Sequence, residues 1–212
     1  SVSEQFYPVE HLRPMADIDV LIHAHAYALV ESALQDRGYT KLEYDAIGGF
    51  HHGPPLRHPR RRTILELHTA LFPDDSPFCK GTCFSPFDVS LRAIRSHYHG
   101  RPVKRLIPEL QLAYIASSWI NDLTLSKIHP SFIASLFDAI YLLEASGRSL
   151  NWSAMLEWLD NDMAKASLYA MMTYLPRYGV EQAPSAALAW MASTQSLVGS
   201  IDLRLIHSML DR

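Results

Sequence analysis

Residues 13–22 read Arg13-Pro14-Met15-Ala16-Asp17-Ile18-Asp19-Val20-Leu21-Ile22. From Ala16 to Ile22 the side chains alternate with the period of a strand. Ile18, Val20 and Ile22 fall on one face, and Asp17 and Asp19 on the other. The rise of a strand sets the two carboxylates about 7 Å apart on one side, where hard oxygen donors can share a cation. Another run, Thr63-Ile64-Leu65-Glu66-Leu67-His68, has the same period and puts Glu66 and His68 on one face among apolar neighbours. Charge on a half-buried sheet is costly unless it is paired or metal-bound, so three acids on strands call for a counter-ion. Magnesium, or manganese in its place, is the expected ion. It prefers carboxylates together with substrate phosphates, and two ions about 4 Å apart can hold the attacking and leaving oxygens of a phosphoryl displacement.

Between these strands the pattern turns helical from His23 to Arg37, with Ala26, Leu29, Val30, Ala33 and Leu34 on one stripe and Gly38 at the stop. Tyr39 to Tyr44 suits a short strand. Residues 48–62 read as loop, with Gly48-Gly49, Gly53-Pro54-Pro55 and the basic residues Arg57, Arg60, Arg61 and Arg62. Past Pro86 strand signals largely stop. Helices are expected over 106–123, 130–144, 152–159, 163–178 and 184–197, started by Asn151, Pro130 and Pro184, with Gly147 and Gly179 at ends. The expected fold class is therefore α+β: a small mixed β-sheet domain over 1–105, then a C-terminal α-helical domain over 106–212.

The residues quoted at 13–22, with Arg37-Gly38-Tyr39, His51-His52 and Ile64-Leu65-Glu66-Leu67-His68, resemble the uncharacterised nucleotidyltransferase family of the polymerase-β-type superfamily. Pro108 to Leu112, Phe137 to Leu143 and Leu150-Asn151-Trp152 are similar to its helical part, so the likeness spans most of the chain. The resemblance implies that Asp17, Asp19 and Glu66 are catalytic metal ligands, with Glu66 completing a second metal position or serving as base. Arg13 and His68 are placed on the nucleotide side. A hydroxyl acceptor attacks the α-phosphate of a nucleoside triphosphate and pyrophosphate leaves. One departure stands out. The superfamily's Gly-Ser or Lys-Gly element upstream of the Asp-x-Asp has no counterpart before Asp17. Either that strand lies outside the sequence, which opens on Ser1 rather than Met, or the site is a binding or inactive form. Gly199-Ser200 has the letters but a helical context.

Rival readings use other residues. His51, His52 and His68 with the acids have the chemistry of a metal-dependent phosphohydrolase, although no His-Glu-x-x-His pattern is present. His23 and His25 suit a helix start. Arg13 can grip phosphate with its forked donors or pair with an acid, and Arg57 and Arg60–Arg62 can rim a polyanion or be solvated. Cys79 and Cys83 lack a second pair at finger spacing and read as free thiols. Trp119, Trp152, Trp158 and Trp190 read as helix-seam residues.

Composition bounds the rest. An apolar share of 48% supports a proper core, and a net charge of −3 argues against a nucleic-acid coat, so any polyanion binding is local. Ser135 and Asp138 interrupt the longest apolar stretch short of the ~20 residues of a membrane span. Two cysteines and no signal-like start point to the cytoplasm. The expected partners are a nucleoside triphosphate and a small-molecule or protein acceptor, with nucleic acid less expected.

Overall fold

A computed structural model describes residues 2–9, 12, 13, 15, 17–43, 51–98, 100–124, 130–180 and 183–198. Gly48-Gly49, Tyr44 and Gly199-Ser200 lie outside them. The chain forms two compact units: residues 14–90, and residues 1–13 with 91–212.

The 14–90 unit is built on a four-stranded sheet of order β1-β4-β3-β2, with β1 at Ile18–Leu21, β2 at Thr40–Lys41, β3 at Leu56–His58 and β4 at Thr63–His68. β1 and β4 are parallel, joined in register with Ile18 opposite Leu65, Asp19 opposite Glu66, Val20 opposite Leu67 and Leu21 opposite His68. β3 runs antiparallel to both β4 and β2. Because register partners share a face, Ile18, Val20, Leu65 and Leu67 line one side, joined by Leu56 opposite Leu65. Leu56 and Leu67 are fully buried there, and Asp19, Glu66 and His68 take the opposite side. The alternation expected from 16–22 is thus present in β1. The loop expected over 48–62 contains β3, a strand too short and too interrupted by Pro55 and Pro59 to carry a period.

The first helix of this unit is shorter than 23–37. A 3₁₀ turn at Ala24–Ala26 precedes α2, Tyr27–Gln35, and Gly38 takes a left-handed φ of 90° that lets the chain turn into β2. Phe72 packs against Phe78 and Phe84 with ring centroids 4.7 and 5.1 Å apart, closing the connection toward the short helix α3, Pro86–Leu91.

In the other unit an N-terminal helix α1, Val2–Phe6, is followed in sequence, past residue 90, by an antiparallel hairpin of β5, Ala93–Tyr98, and β6, Arg101–Leu106. Strands here are a departure from the sequence reading. Arginine, lysine and histidine interleave with apolar residues on both faces, Ile94 and Val103 themselves being exposed, so no period-two apolar signal marks them. Helices α4 (Pro108–Thr124), α5 (Pro130–Ser146), α6 (Trp152–Trp158), α7 (Asp162–Tyr174) and α8 (Ser185–Val198) then follow, close to the expected spans. Asn151 and Asn161 cap α6 and α7 by accepting from Ala154 N–H at 3.0 Å and Ala164 N–H at 2.8 Å. The core of this unit is Trp119 with Leu110, Leu168, Met171 and Tyr174, all fully buried.

Candidate metal centre

Strand β4 is central, paired with β1 on one side and with the 51–58 segment on the other. Past β3 the antiparallel ladder continues irregularly: Gly53 N–H donates to Leu67 C=O at 3.1 Å, and Thr69 N–H to His51 C=O at 2.7 Å, with His52 opposite His68. Ile22 N–H donates to His68 C=O at 2.8 Å from the β1 side. The backbone of β4 is therefore held from both edges where Glu66 and His68 project, so two strands and an edge segment bring their side chains to one patch.

On that patch His68 Nε2 lies 3.1 Å from Asp19 Oδ1 and 3.6 Å from Glu66 Oε2, and His52 Nδ1 lies 3.8 Å from Glu66 Oε2. Asp19, Glu66 and His68 each offer a ligand atom, and the three atoms lie within 4.8 Å of one another. Asp19 is mostly exposed, whereas Glu66 and His68 are largely covered. Burial holds the Glu66 carboxyl above the usual carboxylate range. His52 opposes that shift, Asp17 and Asp19 add to it, and His68 again opposes. The charge of Asp17 is thus felt at Glu66, although Asp17 is not among the three converging donors.

The three histidines 51, 52 and 68 form a cluster with ring centroids 4.8 to 5.3 Å apart. Burial, reinforced by the neighbouring imidazoles 68 and 52, pushes His51 down to about 4, so it is neutral at physiological pH. Beside His52 opens a hollow of about 330 Å³ whose walls include Tyr27, Glu31, Lys41 and Gly53. Glu31 accepts from Tyr27 Oη at 3.1 Å and pairs with Lys41 Nζ at 3.0 Å. A Cβ on Gly53 would overlap the Tyr27 hydroxyl, so glycine is what lets that ring lie against the chain.

Of the residues singled out by sequence, Asp19, Glu66 and His68 come together. Arg13 belongs to the other compact unit, where its Nε donates to Asp138 Oδ1 at 2.8 Å and its Nη2 to Oδ2 at 2.8 Å. Asp138 also accepts from Tyr7 Oη at 2.7 Å. Any phosphate role for Arg13 competes with this bidentate pair. His52, grouped with His51 and His68 only in the rival phosphohydrolase reading, also lies beside Glu66. Its signal was its place next to His51 and before Gly53-Pro54, legible only once it lay across from His68.

The donor set fits a divalent ion: two carboxylates on adjacent parallel strands, one half-buried and charged against its neighbours, with an imidazole as third donor. Manganese tolerates the nitrogen donor readily, and magnesium takes the oxygens. Among the described residues the small mixed sheet presents these acids from its outer strand β1 and the neighbouring inner strand β4, Asp19 opposite Glu66. The chain belongs to the uncharacterised nucleotidyltransferase family, whose model matches residues 1–178. Neither a curated protein nor a solved structure matches the chain. Among the described residues no helix is long and apolar enough to cross a membrane.

Proposed function

We propose that this protein transfers a nucleoside monophosphate from a nucleoside triphosphate to a hydroxyl acceptor, with pyrophosphate as the leaving group and magnesium or manganese as the cofactor. The observation that carries this reading is the register of Asp19 against Glu66, with His68 Nε2 within 3.1 Å of one carboxylate and 3.6 Å of the other. Asp19, Glu66 and His68 would hold the ion, with Asp17 adding its charge from the preceding position. A divalent ion bound there supplies positive charge to triphosphate oxygens and to the developing charge on the leaving group. Glu66 would complete the second metal position or serve as the base that accepts the proton of the attacking hydroxyl. Arg13, whose donors the Asp138 carboxylate holds, is a candidate phosphate ligand from the family resemblance alone. The work takes place in the cytoplasm on this reading, and the acceptor is a small molecule or a macromolecule bearing a free hydroxyl.

Calorimetric titration of magnesium with ATP, and of manganese with ATP, into the wild type and into the Asp17→Ala/Asp19→Ala double variant tests the reading. Heat with the wild type and none with the variant supports it, and equal heats from both discard it. The cluster of His51, His52 and His68 beside Glu66 favours one rival, a metal-dependent phosphohydrolase. Release of orthophosphate instead of pyrophosphate from a nucleoside triphosphate would establish that rival.

A further inference from the structure

The β5–β6 hairpin carries a charge pattern that the metal centre does not use. Between Asp88 and Glu109 the chain contains no acidic residue, yet it holds Arg92, Arg95, Arg101, Lys104 and Arg105. The chain as a whole has 19 Lys and Arg against 22 Asp and Glu, so removing these five leaves 14 against 22 elsewhere. A local excess of cations is thus set in a chain that is otherwise acidic.

The register makes this a surface. Arg95 stands directly opposite Lys104, and His97 opposite Pro102, on one face of the ribbon; Arg105 opposite Ile94, and Arg101 opposite Tyr98, lie on the other. Like charges directly opposite each other destabilise a ladder unless an anion lies between them. Arg95, Arg101 and Lys104 are exposed, and among the described residues none of them, nor Arg105, has an acidic partner. Arg105 is half-buried, and its Nε–H is covered yet has no acceptor among the described residues, a costly state for a charged donor. Arg92, by contrast, is pinned over the Trp158 ring at 4.7 Å. The hairpin turns through Gly100 at φ 74°, a left-handed position that keeps the ribbon narrow at its tip.

We propose that this hairpin binds the phosphate backbone of an RNA. Three of its four cations that lack an acidic partner among the described residues are arginines, whose forks match phosphate oxygens two at a time, and the exposed ring of His97 on the Arg95 face can lie against an unstacked base. A two-stranded ribbon with cations on both faces suits a backbone that passes around it. An anionic membrane surface would meet only one of those faces. The choice of RNA among polyanions rests on the transfer reading, because an RNA end offers the hydroxyl that the reaction needs; the phosphate contact itself does not.

The test uses the full chain and a fluorescein-labelled RNA stem–loop, read by anisotropy without added metal. Binding is expected at 50 mM salt and to weaken roughly 50-fold at 200 mM, as three or so displaced counterions require. Arg95→Glu/Lys104→Glu should lower affinity at least about tenfold and flatten that salt dependence. The neutral pair Arg101→Gln/Lys104→Gln, checked by circular dichroism to be folded, should fall between. No binding by the wild type, unchanged affinity in both variants, or capture by phosphatidylserine vesicles with none by RNA would each overturn the proposal. The titrations with metal and ATP report separately. Their failure in the wild type removes the transfer reading and leaves the RNA measurement standing.

Discussion

Asp19 and Glu66 are register partners on adjacent parallel strands, 47 residues apart in sequence and joined by a ladder that leaves both carboxylates on one face of the sheet. Parallel pairing is what brings them together, because it aligns the two strands residue for residue and so fixes which acid meets which. His68, two residues beyond Glu66, reaches the same place by the period of the strand.

This arrangement predicts a separation of two effects at Glu66. Glu66→Gln removes a carboxylate that burial and like charges disfavour, so the metal-free variant should gain stability relative to the wild type as pH rises out of the ordinary carboxylate range, and the difference should close below that range. For a carboxyl with a raised folded-state value, stability is lost as pH rises through that value, and the substitution cancels this loss. Manganese affinity should nevertheless fall by about tenfold or more. Thermal melts and calorimetry on the same samples check both halves.

His68→Ala should weaken manganese more than magnesium, because only the nitrogen donor is lost and manganese uses it better. The ratio of the two dissociation constants, measured in wild type and variant, is the readout. An unchanged ratio would show that His68 is not a ligand.

The His51 imidazole has a folded value of about 4 against an ordinary 6.5. The unfolded chain therefore binds more protons than the folded one between those values, and stability should rise with pH across that window and fall on acidification through it. His51→Asn should flatten the acid side of a stability–pH profile measured by urea denaturation, leaving the profile above pH 7 unaltered in shape.

Gly53→Ala should destabilise by about 1–3 kcal/mol, since the new methyl must displace the Tyr27 ring or the edge segment that carries His52. Tyr27→Phe in the same background removes the clashing hydroxyl and should recover part of that loss. Recovery of nothing would mean that the close approach is not what requires glycine.

Asp138→Ala should cost about 3–5 kcal/mol, because it leaves Arg13 without its bidentate partner in a largely covered setting. Heats of ATP binding measured on the folded variant decide the role of Arg13. An increase in affinity indicates a guanidinium released toward phosphate, and unchanged affinity indicates that Arg13 is structural.

Much of this was legible in the chain. The period of two in 17–22 and 63–68 identified β1 and β4 and the acids they carry, because one face of each strand must be apolar to be buried and the exception is then visible; that β4 is inner and β1 outer was not visible. The C-terminal helices were legible for the same reason at a period of three to four, and Asn151 announced its cap. The β5–β6 hairpin was hidden because neither of its faces is consistently apolar, so no burial pattern reports it. β3 was hidden among prolines. Arg13 illustrates a different limit: a fork of donors satisfies a phosphate and a carboxylate alike, and only the fold showed that Asp138, 125 residues away, lies within its reach.

The sequence by itself determined β1, β4, the C-terminal helices and the family, since local periodicity and residue order encode which side of each of those elements meets the core. It did not determine which acid faces which, that His52 and His68 converge with Glu66, or that four cations share a two-stranded ribbon without acids. Those relations depend on register and strand order, which long-range backbone pairing sets and short-range patterning does not record.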